Sequence, residues 1–230
     1  MDPRLRGDDA NFMELRLIRE VKICGLRDAV SVAAAVEDGA RYVGFNFYLK
    51  SPRVVGAQTA AALIEILPSS VVSVGLFVDP SDEEIRRVLG VAPLRMIQLH
   101  GGESSERVAA VRALTALPVI KAVGIATPQD VEAARRYEDV ADFLLLDAKL
   151  SGTFGGSGVT FDWSLLKNAA FAKPWLLAGG LNISNVAAAV AATGARILDV
   201  SSGVEESAGR KSPEKIREFL KTVRNLETCC

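Results

Sequence analysis

The chain has 230 residues, 49% of them hydrophobic and 24% charged, which is enough apolar material for one large core and a length that suits one domain better than two. Its 27 Lys and Arg are interspersed among 28 Asp and Glu for a formal net charge of −1, so no basic face points to nucleic acid or an anionic membrane, and a small-molecule partner is expected. No apolar run reaches the roughly 18 residues of a membrane span, and the opening segment lacks the apolar stretch of a signal peptide, so a cytoplasmic protein is the simplest expectation.

In chain order, residues 1–19 carry no pattern and read as a disordered or non-native extension, with Met1 and Met13 both available as starts. The run Val21–Cys24 is then followed by a helical pattern over Ala29–Glu37 with Asp28 as its cap. Tyr42–Phe47 precedes the pattern Ala57–Leu67, and Ser73–Val78 precedes Asp82–Leu89 behind Ser81. Met96–Leu99 leads to Ser105–Leu114, and Val119–Gly124 leads to Pro128–Tyr137 behind Thr127. Asp142–Leu146 is followed by the weakest helical pattern, Phe161–Asn168. Trp175–Ala178 leads to Ser184–Ala192 with Asn182 or Ser184 as cap, and Ile197–Val200 leads to Pro213–Asn225 behind Ser212. Residues 227–230 read as a frayed tail.

Eight short, nearly continuous apolar runs signal strands covered on both faces, the habit of parallel sheets wrapped by helices. Eight βα units predict either a closed (β/α)8 barrel or a doubly wound open sheet. The barrel is preferred, because the first strand ends Cys24–Gly25–Leu26–Arg27–Asp28 and carries no G-x-G-x-x-G fingerprint for a dinucleotide. Three cysteines, two of them adjacent at Cys229 and Cys230, do not form a disulfide scaffold. One histidine, with no Cys or His spacing of ligand type, makes a zinc site unexpected, and no structural metal is expected.

In a barrel the loops after the strands converge on one face, so the residues there are the candidates for chemistry. Gly179–Gly180 after the seventh strand and Ser201–Ser202–Gly203 after the eighth leave backbone amides uncovered, with a helix start adding positive dipole; together they predict a phosphate site. Either pair alone reads as an ordinary turn or cap. Cys24 ends the first strand as a base or as a buried small hydrophobe. Asp147 ends an apolar strand, placed to donate a proton or else a salt-bridged loop aspartate. The planar fork of Arg53, in Ser51–Pro52–Arg53, suits a substrate carboxylate, a solvated arginine being the alternative. His100 can hold a substrate hydroxyl or simply be satisfied at a strand end. Gly155–Gly156–Ser157–Gly158 reads as a lid or a flexible connection.

Taken together, these segments resemble the phosphoribosylanthranilate isomerase family. The likeness rests on Lys22–Ile23–Cys24–Gly25, Gly44–Phe45–Asn46–Phe47 with Ser51–Pro52–Arg53, Gly75–Leu76–Phe77–Val78, Gln98–Leu99–His100–Gly101 and Leu146–Asp147. It continues through Gly155–Gly156–Ser157–Gly158, Phe161–Asp162–Trp163, Gly179–Gly180–Leu181 and Asp199–Val200–Ser201–Ser202–Gly203–Val204–Glu205, so it runs from about residue 20 to 225. It implies an Amadori rearrangement of N-(5-phospho-β-D-ribosyl)anthranilate to 1-(2-carboxyphenylamino)-1-deoxy-D-ribulose 5-phosphate in tryptophan biosynthesis, without cofactor or metal, by a monomer or homodimer. On that likeness Asp147 is the general acid that opens the ribose ring and Cys24, as a thiolate near neutral pH, the base at C2′. Arg53 holds the anthranilate carboxylate, Asp199 and His100 support the substrate, and the two loops hold phosphate. Ala208–Gly209–Arg210–Lys211–Ser212 departs from the family's usual Pro-Gly-x-Lys-Asp, and Gly102 adds a second glycine after His100. Rival readings are a pentose-phosphate epimerase, which needs metal-binding histidines, an indole-glycerol-phosphate synthase, which needs catalytic lysines and glutamates, and a silent phosphate-binding barrel. Acceptance of the histidine-pathway aminoaldose is a weaker alternative.

Overall fold

A computed structural model describes residues 19–149 and 158–226. The expectations for both terminal segments, for Cys229 and Cys230, and for Gly155, Gly156 and Ser157 lie outside the described residues. Eight strands run Glu20–Cys24 (β1), Tyr42–Asn46 (β2), Val72–Phe77 (β3), Met96–Leu99 (β4), Val119–Ile125 (β5), Phe143–Ala148 (β6), Trp175–Leu177 (β7) and Ile197–Val200 (β8). Each pairs in parallel with its sequence neighbour, and β1 closes on β8 through Lys22↔Asp199 and Ile23↔Val200, giving a closed eight-stranded barrel.

Seven α-helices surround it among the described residues: Ala29–Glu37 (α1), Ala57–Glu65 (α2), Asp82–Leu89 (α3), Ser105–Thr115 (α4), Pro128–Ala134 (α5), Val186–Thr193 (α6) and Pro213–Asn225 (α7). Local chemistry fixes several starts. The Asp28 carboxylate accepts from the Ser31 amide, Ser81 with Glu84 and Thr127 with Asp130 form reciprocal capping boxes, and Ser212 caps α7 ahead of Pro213. After β6 the weak helical pattern is realised only as a 3-10 turn, Trp163–Leu166. The cap expected at Asn182 or Ser184 is displaced to Asn185. Asn182 Oδ1 instead takes the amides of Ser184 and Asn185 in a turn that delays the helix until Val186. A short hairpin, Glu205–Ser207 (β9) with Arg210–Lys211 (β10), follows the barrel and was not expected, because its polar residues carry no apolar alternation.

Strand alternation sorts the core into two layers. One residue parity on each strand packs outward against the helices, as Ile23, Val43, Phe45, Ile97, Leu144, Leu146 and Leu198 do. The other parity fills the lumen with Tyr42, Val72, Val74, Met96, Ile120, Ala122, Leu145, Leu176, Ala178 and Ile197. Lys22, Cys24, Gln98, Asp147 and Asp199 share that inward parity, so the alternation that packs the barrel also aims them at its C-terminal mouth. No helix among the described residues is long and apolar enough to cross a membrane.

Candidate active site

Cys24, His100, Asp147 and Asp199 all lie at or near the C-terminal ends of barrel strands, and all are buried or nearly so. Cys24 ends β1, where the amides of Gly25 and Leu26 both donate to the Gly44 carbonyl and turn the chain out of the sheet. Two residues earlier, fully buried Lys22 extends its ammonium to Asp199 Oδ1 on β8 at 2.7 Å. Both groups crowd the neighbouring strand: a Cβ on Gly44 would lie 3.1 Å from the Cys24 sulfur and 3.2 Å from Lys22 Nζ, so a glycine is what lets thiol and ammonium share that corner.

The electrostatics around the sulfur pull in opposite directions. Burial pushes the Cys24 thiol up, opposed by the cations Lys22 and Lys211 and reinforced by Asp199. Burial thus works against the expected thiolate, while the two lysines work for it. Lys22 itself is worked against by burial, yet Asp199 and Cys24 hold its ammonium above the ordinary lysine range. A positive charge thus stands ready beside the sulfur whenever the proton leaves.

Asp147 ends the apolar part of β6, three strands from β1 around the shorter arc of the barrel. Its Oδ1 accepts from the Ala148 amide at 2.8 Å, and its Oδ2 lies 3.2 Å from His100 Nε2. His100 Nδ1 in turn meets the side-chain amide nitrogen of Gln98 at 2.8 Å. Sequence reasoning quoted Gln98 without giving it a role, although its inward parity on β4 was the available signal.

Arg53 is placed differently from a free carboxylate clamp. Its Nε and Nη2 form a bidentate pair with Glu205 at 2.7 and 2.9 Å, 152 residues away in sequence. Glu205 Oε1 also accepts from Lys211 Nζ at 2.8 Å, and burial, which pushes its carboxyl up, is outweighed by Arg53 and Lys211, which hold it below the usual range. Lys211 reaches on to the Ser201 carbonyl and hydroxyl, and that hydroxyl donates to the Cys24 carbonyl. Neither Glu205 nor Lys211 was anticipated. This chain of contacts ties the loops after β1, β2 and β8 together.

Gly179 and Gly180 adopt φ of +86° and +63°, and a Cβ on Gly180 would approach the Gly158 carbonyl to 2.7 Å. A Cβ on Gly203 would run into the Leu181 carbonyl, so the loops after β7 and β8 press backbone to backbone. Asn182 and Asn185 both donate side-chain N–H to the Gly180 carbonyl and fix that peptide. Among the described residues, no backbone carbonyl accepts from the amides of Gly179, Gly180 or Ser202. After β8 the expected helix start is a three-residue 3-10 turn, Ser202–Val204. Ser201, expected at the phosphate, has its hydroxyl engaged by Cys24 and Lys211.

A family model described as N-(5'phosphoribosyl)anthranilate (PRA) isomerase matches residues 21–222. The N-(5'-phosphoribosyl)anthranilate isomerase of Paracoccus denitrificans is 54% identical over 203 residues, covering 87% of this chain and 94% of that protein. Phosphoribosyl anthranilate isomerase from Thermotoga maritima superposes with a TM-score of 0.81 at 37% identity, covering 90% of this chain and 100% of that one. A phosphoribosyl anthranilate isomerase solved with reduced 1-(o-carboxyphenylamino)-1-deoxyribulose 5-phosphate superposes at 0.78 and 35% identity, with the same coverage.

Proposed function

This chain belongs to the N-(5'-phosphoribosyl)anthranilate isomerase family, and from that premise we propose how its own residues divide the work of the reaction. The activity is the isomerisation of N-(5-phosphoribosyl)anthranilate to the carboxyphenylamino-deoxyribulose phosphate in tryptophan biosynthesis.

Asp147 gives a proton to the ribose ring oxygen, the C1′–O bond breaks, and the electrons of the anthranilate nitrogen form the Schiff base. Cys24, as thiolate, takes the proton from C2′, leaving an enolamine that tautomerises to the amino-ketose. The observation that carries this assignment is the separation of the two groups: a buried thiol beside Lys22 on one side of the mouth and a carboxyl held by His100 on the other. Acid and base can then act on different atoms of one bound sugar without exchanging protons with each other. Lys22 stabilises the thiolate once it forms, and Asp199 orients Lys22.

The free amides at Gly179, Gly180 and Ser202 suit the substrate phosphate, with Gly203 allowing the two loops to meet and Ser201 bracing them against β1. Arg53 lies beside the mouth with its fork fixed by Glu205, and we assign the anthranilate carboxylate to its cationic face. The site's partner is accordingly a phosphorylated aromatic amine glycoside. We assign residues 20–226 to this one catalytic domain.

Phosphoribosylanthranilate made in place from anthranilate and phosphoribosyl pyrophosphate is fluorescent, and its decay tests the reading. The wild type accelerates the decay, and Cys24→Ala and Asp147→Asn abolish the acceleration while still binding product. Wild-type decay at the spontaneous rate would overturn the assignment.

A further inference from the structure

Lys211 is buried beside the mouth of the barrel, its side chain 1% exposed, and the division of work between Cys24 and Asp147 leaves it no task. Its Nζ donates to the Ser201 carbonyl at 2.9 Å, to the Ser201 hydroxyl at 3.1 Å and to Glu205 Oε1 at 2.8 Å. A neutral amine has two N–H bonds to give and an ammonium three, so these contacts are those of the charged form. Burial pulls the group down from the ordinary lysine range, and Glu205 and Cys24 work against that pull.

The Ser201 hydroxyl that accepts from Lys211 also donates to the Cys24 carbonyl at 3.1 Å, so one side chain bridges the ammonium to the residue that bears the thiol. Arg53 flanks the same turn: a Cβ on Gly25 would lie 2.8 Å from its Cδ. The charges that face the sulfur come from Lys22 on β1, Asp199 on β8 and Lys211 on the hairpin, while β2 presents only Gly44. Lys22 has an anion of its own in Asp199 at 2.7 Å, and Asp199 opposes the thiolate as Lys22 favours it. Glu205 is shared instead, between both nitrogens of the Arg53 fork and Lys211. One carboxylate against two cations leaves that cluster a positive charge in excess, and Lys211 is its member that works on Cys24.

We propose that Lys211 is a positioning residue for proton abstraction, its incompletely neutralised ammonium steadying the Cys24 thiolate across a separation that Ser201 fixes. Lys22 and Asp199 then largely cancel at the sulfur, and the balance toward the thiolate is set from the hairpin. The inference rests on the assignment of Cys24 as the base.

The test uses the full-length protein carrying Cys229→Ser and Cys230→Ser, so that labelling cysteine 13Cβ gives the Cys24 signal alone, followed against pH without ligand. Lys211→Met removes the charge and the donors, Lys211→Gln keeps an N–H donor and removes the charge, and Lys211→Arg keeps the charge. An opposite charge at this range moves a titration midpoint by about 1–3 units. The Met and Gln variants therefore ionise Cys24 at least about one unit higher than wild type, and on the acid limb their kcat/KM is lower by at least about tenfold. Lys211→Arg lies closer to wild type than either. A purely structural role would spare the Gln variant or lower turnover with the midpoint unmoved. A Gln variant whose Cys24 midpoint and acid limb coincide with those of wild type would overturn the proposal, as would an Arg variant displaced as far as the Gln variant. If the wild-type signal stays that of the thiol throughout, the acid limb alone decides. The midpoint needs no turnover, so its failure to move is distinct from failure of the isomerase reading, which shows as wild-type decay of substrate at the spontaneous rate.

Discussion

Glu205→Gln keeps the shape of the side chain and removes its charge, and the contacts around Glu205 allow the consequence to be sized. The wild-type carboxylate accepts from Arg53 twice, from Lys211 and, at 3.3 Å, from the Gly209 amide; the side chains of Arg53 and Lys211 are 10% and 1% exposed. A glutamine would leave two buried cations without a counter-charge and turn one of its own donors toward theirs. Removing one partner of a buried ion pair destabilises by about 3–5 kcal/mol. For a chain of this size roughly 2–4 °C of melting temperature is lost per kcal/mol, so a decrease on the order of 6–20 °C is expected. Urea unfolding followed by tryptophan fluorescence gives the free energy directly. Glu206→Gln, which breaks only the exposed pair with Arg210, is the control and costs less than about 1 kcal/mol. Because Arg53 and Lys211 hold the Glu205 carboxyl low, its contribution is present at neutral pH, above the ordinary carboxylate range, and is lost as pH falls through the lowered value in the fold. Should Glu205→Gln unfold within about 1 kcal/mol of wild type at neutral pH, the network would not be holding the loops after β1, β2 and β8 together.

Lys121 and Glu103 form a second buried pair, at 2.7 Å with both side chains 1% exposed, and Glu103 also accepts from the amides of Asp79 and Gly101 beside His100. Lys121→Met should therefore cost several kcal/mol, within about 3–5, in urea unfolding, with a smaller loss contradicting a role in fixing the loop after β4. Burial holds the Cys24 thiol above its ordinary range, so kcat/KM should climb with pH as the thiolate forms and continue past the normal thiol midpoint; a profile flat from pH 6 to pH 9 would speak against Cys24 as the base. Gly203→Ala puts a Cβ against the Leu181 carbonyl, and calorimetric titration with product should show binding weakened at least about tenfold, while unchanged affinity would remove the phosphate loop from this position.

The barrel was legible because its signals are local. Continuous apolar runs mark doubly covered strands, and Ser81, Thr127 and Ser212 mark helix starts that the backbone amides confirm. What escaped depends on long-range pairing. Lys22 reads as an interruption in an apolar strand until Asp199, 177 residues on, is brought opposite it across the β1–β8 seam. Arg53 reads as a free loop cation until the hairpin of β9 and β10 delivers Glu205, and that hairpin has no periodic signature of its own. The burial that opposes the Cys24 thiolate escaped for the same reason, since the depth of burial around a sulfur is a property of the assembled lumen and not of the strand that carries it.

The central claim is that Cys24 and Asp147 divide base and acid work on one bound sugar. A single-turnover experiment tests it most directly, with enzyme in excess over phosphoribosylanthranilate, comparing wild type, Cys24→Ala and Asp147→Asn once substrate binding has been verified by fluorescence anisotropy. The account predicts that both variants bind the substrate and convert it no faster than it decays unaided. Conversion by either variant within about tenfold of the wild type, below the roughly 10²–10⁴-fold expected of a positioned acid or base, would contradict the assignment of that residue.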